Sequence, residues 1–120
     1  MRLHQAGDRV VISGVGLWTP DHVVTNTELV QALNAYADKY NDMHQAAIEA
    51  GHVKPVMKSD PEFIEKASGI KQRHVYVKDG ILDIDHMRPR IPERGDDELS
   101  HQAEIALHAA HAALATANKK

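Results

Sequence analysis

Nine histidines and no cysteine set the chemistry that this 120-residue sequence can offer. Without a thiol it has no thiolate nucleophile, no thiolate metal site and no disulfide framework. The densest titratable grouping is His101, Glu104, His108 and His111, at i, i+3, i+7 and i+10. On a helix these four share one stripe, and imidazoles flanking a carboxylate can ligate zinc. Yet the spacing is not the two-histidine i, i+4 signature of a metalloprotease. The same stripe also reads as a solvated polar face, and no metal site is assigned. A second grouping lies in "DPEFIEKASGIKQRHV", residues 60–75. It holds the sole phenylalanine, Phe63, then Lys66, then Lys71, Arg73 and His74 in near alternation. With Arg90 and Arg94 these cations suit a phosphate or an acidic protein partner. They read equally well as solvated charges or, for Arg73, as half of a structural salt bridge.

The elements that must carry these residues follow from pattern. "RVVISGVGLWTP" opens with a β-branched run suited to a strand buried on both faces, loosened by Gly14 and Gly16 and ended by Pro20. "TPDHVVTN" then predicts a turn and a short extended piece. Thr25 and Glu28 have the spacing of a capping box, with Asn26 a competing cap, so a helix is expected from there to about Ala50, closed by Gly51. Leu29, Val30, Leu33, Tyr36, Ala37, Tyr40, Met43 and Ala47 give it an apolar stripe. Its length of roughly 35 Å at 1.5 Å per residue implies packing on something larger or a break near "KYND".

Residues 52–60 read as a linker. A short helix follows, with Asp60 as cap, Pro61 at the first position and Gly69 as the left-handed stop. "IKQRHVYV" reads as a strand, and "ILDID" beyond "KDG" as its hairpin partner. "HMRPRIPERGDDE" reads as loop. From about Asp97 to Ala117 an Ala-rich helix is expected, acidic at its start and followed by Lys119 and Lys120, as the macrodipole favours. Leu99, Ala103, Ala106, Ala110, Leu114 and Ala117 give it a small-residue face that admits close approach of another element.

Composition excludes several classes. A formal net charge of −3 argues against a general nucleic-acid binder or a polybasic membrane anchor. The apolar run near the N-terminus is too short to span a bilayer and lacks a signal-peptide cleavage pattern, so a cytoplasmic protein is expected. The first strand is built for the middle of a sheet, yet no other segment reads as its partner. The expectation is a piece of a larger α/β protein, with self-association through unpaired edges.

Read in order, Gly14, Gly16, Pro20, Thr25, Asn26, Leu29, Phe63, Ser68, Gly69, Ile70, Arg73 and His74 follow a known pattern. "ISGVGLWTPDHVVTNTEL" followed by "FIEKASGIKQRHV" resembles the N-terminal portion of β-ketoacyl-acyl-carrier-protein synthase III and related condensing enzymes of the thiolase fold. The resemblance covers essentially the whole chain but only about the first third of a family member. It implies that residues 1–120 are an N-terminal fragment of a thiolase-like domain, incomplete as a fold: strand, long helix, short helix, β-hairpin, Ala-rich helix. The segment 36–58 and "RPRIPERGDDE" look most like a branch accepting longer acyl primers. The implied parent is an acyltransferase of fatty-acid biosynthesis that condenses an acyl-CoA primer with malonyl-carrier protein through a cysteine acyl-enzyme.

In that family the cysteine, histidine and asparagine lie downstream of the matched region, so no catalytic residue is assigned here and the fragment alone is expected to be inactive. By position, Phe63 stands for the aromatic that stacks on the adenine of CoA, and Ser59 for a nearby hydroxyl. Ala67 stands where many members have a stacking arginine, a departure that Lys66 offsets in charge but not in planarity. Alternatively, Phe63 is the core anchor of its short helix. Lys71, Arg73, Arg90 and Arg94 would form a basic rim for CoA phosphate or carrier protein. The implied partners are acyl-carrier protein, a CoA thioester and, in a complete enzyme, a second copy of the chain, with no cofactor beyond these substrates, no nucleic acid and no membrane. Two other readings stay open: a stand-alone helical interaction module with a weak histidine-rich metal site, and another thiolase-superfamily acyl condenser.

Overall fold

The stretch "HVVTNTEL" turns a strand into a helix with no residue between them. β1 (His22–Thr25) ends on the residue that caps α1 (Asn26–Met43). The computed structural model describes residues 9–118. After α1 come α2 (Gln45–Glu49), α3 (Pro61–Ser68), β2 (Gln72–Val75) and α4 (His101–Thr116). The result is mixed α/β, helices with one two-stranded sheet. The chain divides into two units, Pro20–Pro92 and the stretch up to Thr19 together with that from Glu93 onward.

Within Pro20–Pro92, β1 and β2 pair antiparallel, with His22 opposite Val75 and Thr25 opposite Gln72. The capping box forms as the sequence predicts. The Glu28 N–H donates to Thr25 Oγ1 at 3.2 Å, while the Thr25 N–H donates to Glu28 Oε2 at 2.9 Å. Val24, Val30, Ala32 and Ala37 are the buried apolar residues among those described. Burying a valine fully stabilises by about 1.5–3 kcal/mol at most, so a core this small leaves registration to polar ties.

The helix expected to reach Ala50 is split at His44. Its ring, as the Nδ1–H tautomer, donates to the Tyr40 carbonyl at 2.8 Å, and the His44 backbone N–H reaches the same oxygen at 3.1 Å. The ring also stacks on Tyr40 at 4.1 Å. Such local side-chain bonding competes with the regular helical ladder, and α2 restarts one residue later. Gly51, at φ 74°, supplies the expected left-handed stop. α3 matches expectation at both ends: Asp60 Oδ1 accepts from the Phe63 N–H at 2.7 Å, Pro61 is first, and Gly69 sits at φ 72°.

Two strand assignments need correction. β2 pairs with residues 22–25, not with "ILDID", so the expected hairpin does not form. Residues 79–90 instead close an irregular loop: Arg90 donates its N–H to the Asp79 carbonyl at 2.9 Å and ion-pairs with Asp79 and Asp83. Gly80, at φ 83°, packs where a Cβ would lie 2.5 Å from the Arg88 carbonyl oxygen. Those internal ties consume the groups a strand would present.

The second correction concerns residues 10–17, which carry no strand assignment. Val10, Ile12 and Leu17 are 94%, 87% and 84% exposed. A β ladder requires a neighbour, and the one sheet among the described residues is β1–β2. In the unit made of the stretch up to Thr19 and that from Glu93 onward, Gly14 and Gly16 lie instead against α4. A Cβ on Gly14 would sit 2.5 Å from the Ala113 oxygen, and one on Gly16 2.1 Å from the Ala109 oxygen. A close approach to the Ala-rich helix does occur, but along Ala109, Ala113 and Ala117; of the face expected from sequence (Leu99, Ala103, Ala106, Ala110, Leu114, Ala117) only Ala117 takes part. α4 itself starts at His101, four residues later than expected, with Ser100 as its cap accepting from the Ala103 N–H at 3.2 Å.

Replacing Gly16 by alanine forces that backbone contact apart. The expected result is a loss of about 1–3 kcal/mol, read as faster amide exchange along α4 with β1–β2 protection unchanged.

Candidate functional site

α3 stands out as an exposed, well-punctuated helix held at both ends. No α3 residue is buried, and Phe63 is 63% exposed. Phe63 is thus not the core anchor of its helix. Ala67 follows one turn later on the same face, and Glu62, Glu65 and Lys66 line a shallow depression beside it. Ser59, just before the cap, is half-buried, and both its backbone groups are hydrogen-bonded to Asn34. The structure therefore brings Ser59, Phe63, Lys66 and Ala67 onto one short stretch.

The basic residues meet different fates. Lys71 forms an exposed pair with Glu65 at 3.4 Å, a contact that contributes little in water. Arg73, in β2 opposite Val24, is half-buried, and its Nη1 is buried without a hydrogen-bond partner among the described residues. Arg90 is committed to Asp79 and Asp83, which raises its pKa further, chiefly through the Asp83 hydrogen bond. The same bond, with the Asp85 N–H, lowers the pKa of Asp83. Arg94 pairs with Glu104 and donates to the Leu99 carbonyl at 2.7 Å. Arg94 belongs to the unit containing α4, the other three to Pro20–Pro92.

On α4, His108 stacks on Trp18 with ring centroids 4.9 Å apart and lies 4.0 Å from Glu104. Two members of the stripe are thus taken up by structural contacts, Glu104 by Arg94 and His108 by an indole. Among the described residues no three His, Cys, Asp or Glu side chains gather as a metal site. No helix there is long and apolar enough to cross a membrane.

What sequence reading missed is the polar scaffold behind α3. Asn26, weighed as a cap, is instead 5% exposed and bridges to the residues that enter β2. Its Nδ2 donates to the Ile70 carbonyl at 2.6 Å and its N–H to the Lys71 carbonyl at 3.1 Å. Its Oδ1 is buried with no partner among the described residues. The His74 Nδ1–H donates to the Pro20 carbonyl at 2.7 Å. Lys78 reaches Glu28 at 2.6 Å, and this bond, with the Thr25 N–H, holds the Glu28 pKa at about 2 rather than 4.5. A cleft of about 260 Å³ lies along Tyr36, Tyr40 and His44, bridged by the Lys39–Asp85 pair.

No protein-family model matches the chain. A specific relative does: the chain is similar, over part of its length, to a β-ketoacyl-carrier-protein synthase, the class that the sequence resembles. That relative is β-ketodecanoyl-[acyl-carrier-protein] synthase of Pseudomonas aeruginosa, 44% identical over 90 residues. The match takes in 75% of this chain and 26% of the relative, so the chain spans about a quarter of that protein's length. The resemblance to the N-terminal portion of such synthases is borne out over that span.

The Glu28–Lys78 tie carries a pH signature. The folded pKa of Glu28 lies below its unfolded one, so its contribution is complete above about 4.5 and lost as pH falls toward about 2. Urea titrations across that window are expected to show Glu28→Gln flattening the acid-side decline. A decline as steep as in the unaltered chain contradicts the assignment.

Proposed function

We propose that this chain is the N-terminal portion of a β-ketoacyl-carrier-protein synthase III-like enzyme with a thiolase-like fold, and that α3 forms the lip of its CoA entrance. The observation that carries the reading is Phe63: a lone phenylalanine, mostly exposed, on a capped helix whose position is fixed by hydrogen bonds rather than by its own burial. An exposed aromatic on a rigid support is a stacking platform for a planar base. The similarity to a named synthase and the order of motifs around α3 support the same reading.

The reaction proposed for the whole enzyme has two steps. A cysteine thiolate outside these 120 residues attacks the acyl-CoA carbonyl, forming the acyl-enzyme and releasing the CoA thiol. Malonyl-carrier protein then loses carbon dioxide, its carbanion attacks the acyl-enzyme, and the cysteine sulfur leaves. Residues 1–120 hold no cysteine and supply no nucleophile for the first step. Their part is binding: Phe63 against the adenine, the Ser59 hydroxyl and Lys66 beside it, and Lys71 and Arg73 toward phosphate or an acidic carrier protein, Arg90 and Arg94 being taken up by Asp79, Asp83 and Glu104. Ala67 leaves the second face of the base without an arginine, so the stack is one-sided. A cytoplasmic setting, a homodimer and no cofactor beyond the substrates belong to the same proposal.

The test uses protein produced from the complete reading frame. Phe63→Ala is expected to weaken CoA binding on the order of tenfold, the worth of one aromatic–base stack, measured by calorimetry. Unchanged affinity contradicts the proposed lip. The 120-residue chain alone is expected to transfer no acyl group from acyl-CoA above buffer, and cysteine-independent turnover contradicts the synthase reading.

A further inference from the structure

Residues 52–60 carry no regular secondary structure, yet two of them are gripped at both backbone groups. Asn34 Oδ1 accepts from the Ser59 N–H at 2.9 Å, and Asn34 Nδ2 donates to the Ser59 carbonyl at 2.9 Å. Asn41 repeats the arrangement on Val56, at 2.9 and 3.0 Å. Each side-chain amide thereby stands in for the paired N–H and C=O of a neighbouring strand.

The spacing makes the two grips one device. Asn34 and Asn41 lie two turns apart on one face of α1, about 10 Å along its axis. Val56 and Ser59, three residues apart, also span about 10 Å when extended. Residue 34 takes 59 and residue 41 takes 56, so the segment runs antiparallel to α1, stretched between two fixed points. A slip of one residue breaks four hydrogen bonds together.

Ser59 immediately precedes Asp60, whose carboxylate caps α3 through the Phe63 N–H. A path of hydrogen bonds, joined by the Ser59–Asp60 peptide link, thus runs from α1 through Asn34 to Phe63. No residue of α3 is fully buried, and only Pro61 and Ile64 are half-buried where it meets α1, so this path adds direction to a slight packed face in setting where the helix stands.

We infer that Asn34 and Asn41 are positioning residues that fix the α3 lip, and with it the recognition of the nucleotide end of a CoA thioester. The inference rests on the α3 entrance proposed above. It assigns to two α1 asparagines a selectivity that acts on the nucleotide and not on the acyl group, because the bonds of the clamp go to Val56 and Ser59 on the approach to the lip. Four neutral hydrogen bonds replace what an aliphatic contact would do elsewhere, and they do it directionally.

The test again uses the protein from the complete reading frame, with one acyl group presented on CoA and on N-acetylcysteamine, which has no nucleotide. Asn34→Ala is expected to raise KM for the CoA thioester about tenfold, up to the full worth of the stack it positions. The expected kcat, and KM for the nucleotide-free thioester, stay within about twofold, and in a Phe63→Ala background the Asn34 change adds nothing further. Asn34→Asp keeps the acceptor for the Ser59 N–H, so a smaller shift in the same direction is expected; it gives the same reading should the alanine variant not fold. Equal KM changes for both thioesters, or additivity with Phe63→Ala, overturn the inference in favour of a purely structural clamp. Fast amide exchange at Val56 and Ser59 in the unaltered protein overturns the clamp alone. An unchanged CoA-thioester KM in Phe63→Ala with those amides protected overturns the entrance reading, and this inference falls with it.

Discussion

The absence of any linker between β1 and α1 is the constraint on which unit Pro20–Pro92 depends. Thr25 is at once the last strand residue and the helix cap, so the direction of the strand fixes the direction of the helix. Asn26, the next residue, bonds through side chain and backbone to Ile70 and Lys71. The start of β2 is therefore tied to the start of α1, and α3, which ends only at Ser68, must lie within reach of both. With four buried apolar residues, this directional polar geometry decides which arrangement the chain adopts. Each neutral hydrogen bond contributes about 0.5–1.5 kcal/mol net, modest singly but decisive for register where burial is slight. Asn26 Oδ1 and Arg73 Nη1, buried without a partner among the described residues, are the cost of bringing polar groups against so small a core.

Local signals were legible in the sequence wherever a residue's own side chain settles its backbone. The Thr25–Glu28 box, the Asp60–Pro61–Gly69 punctuation of α3 and the left-handed Gly51 all act within a few residues, and all are where pattern places them. Pairing was less legible. "HVVT" is four residues long and holds three β-branched residues, as many as "RVVIS", yet it is the strand that finds a partner. A pattern records the tendency to be a strand, not the availability of a neighbour. His44 shows the other limit: its ring competes with the backbone for the Tyr40 carbonyl, and nothing in the apolar stripe marks that position.

The candidate site divides the same way. Ser59, Phe63, Lys66 and Ala67 are found together because they lie on one helix and its approach, so finding the helix finds them. Arg90 and Arg94 read as free cations in sequence, while their acidic partners, Asp83 and Glu104, lie seven and ten residues away across loop and helix start. Asn34 and Asn41 were missed because asparagine in a helix reads only as a mild defect in propensity. A seven-residue repeat of asparagine on the half-polar side of α1 was the available signal.

The central claim is that α3 is a prepositioned lip whose function is to receive a nucleotide. The most direct measurement is amide hydrogen exchange across residues 59–69 of the protein from its complete reading frame, with and without CoA. This stretch is expected to slow on adding CoA while exchange along α4 is unaltered. Slowing confined to other elements, with residues 59–69 indifferent to CoA, would contradict it.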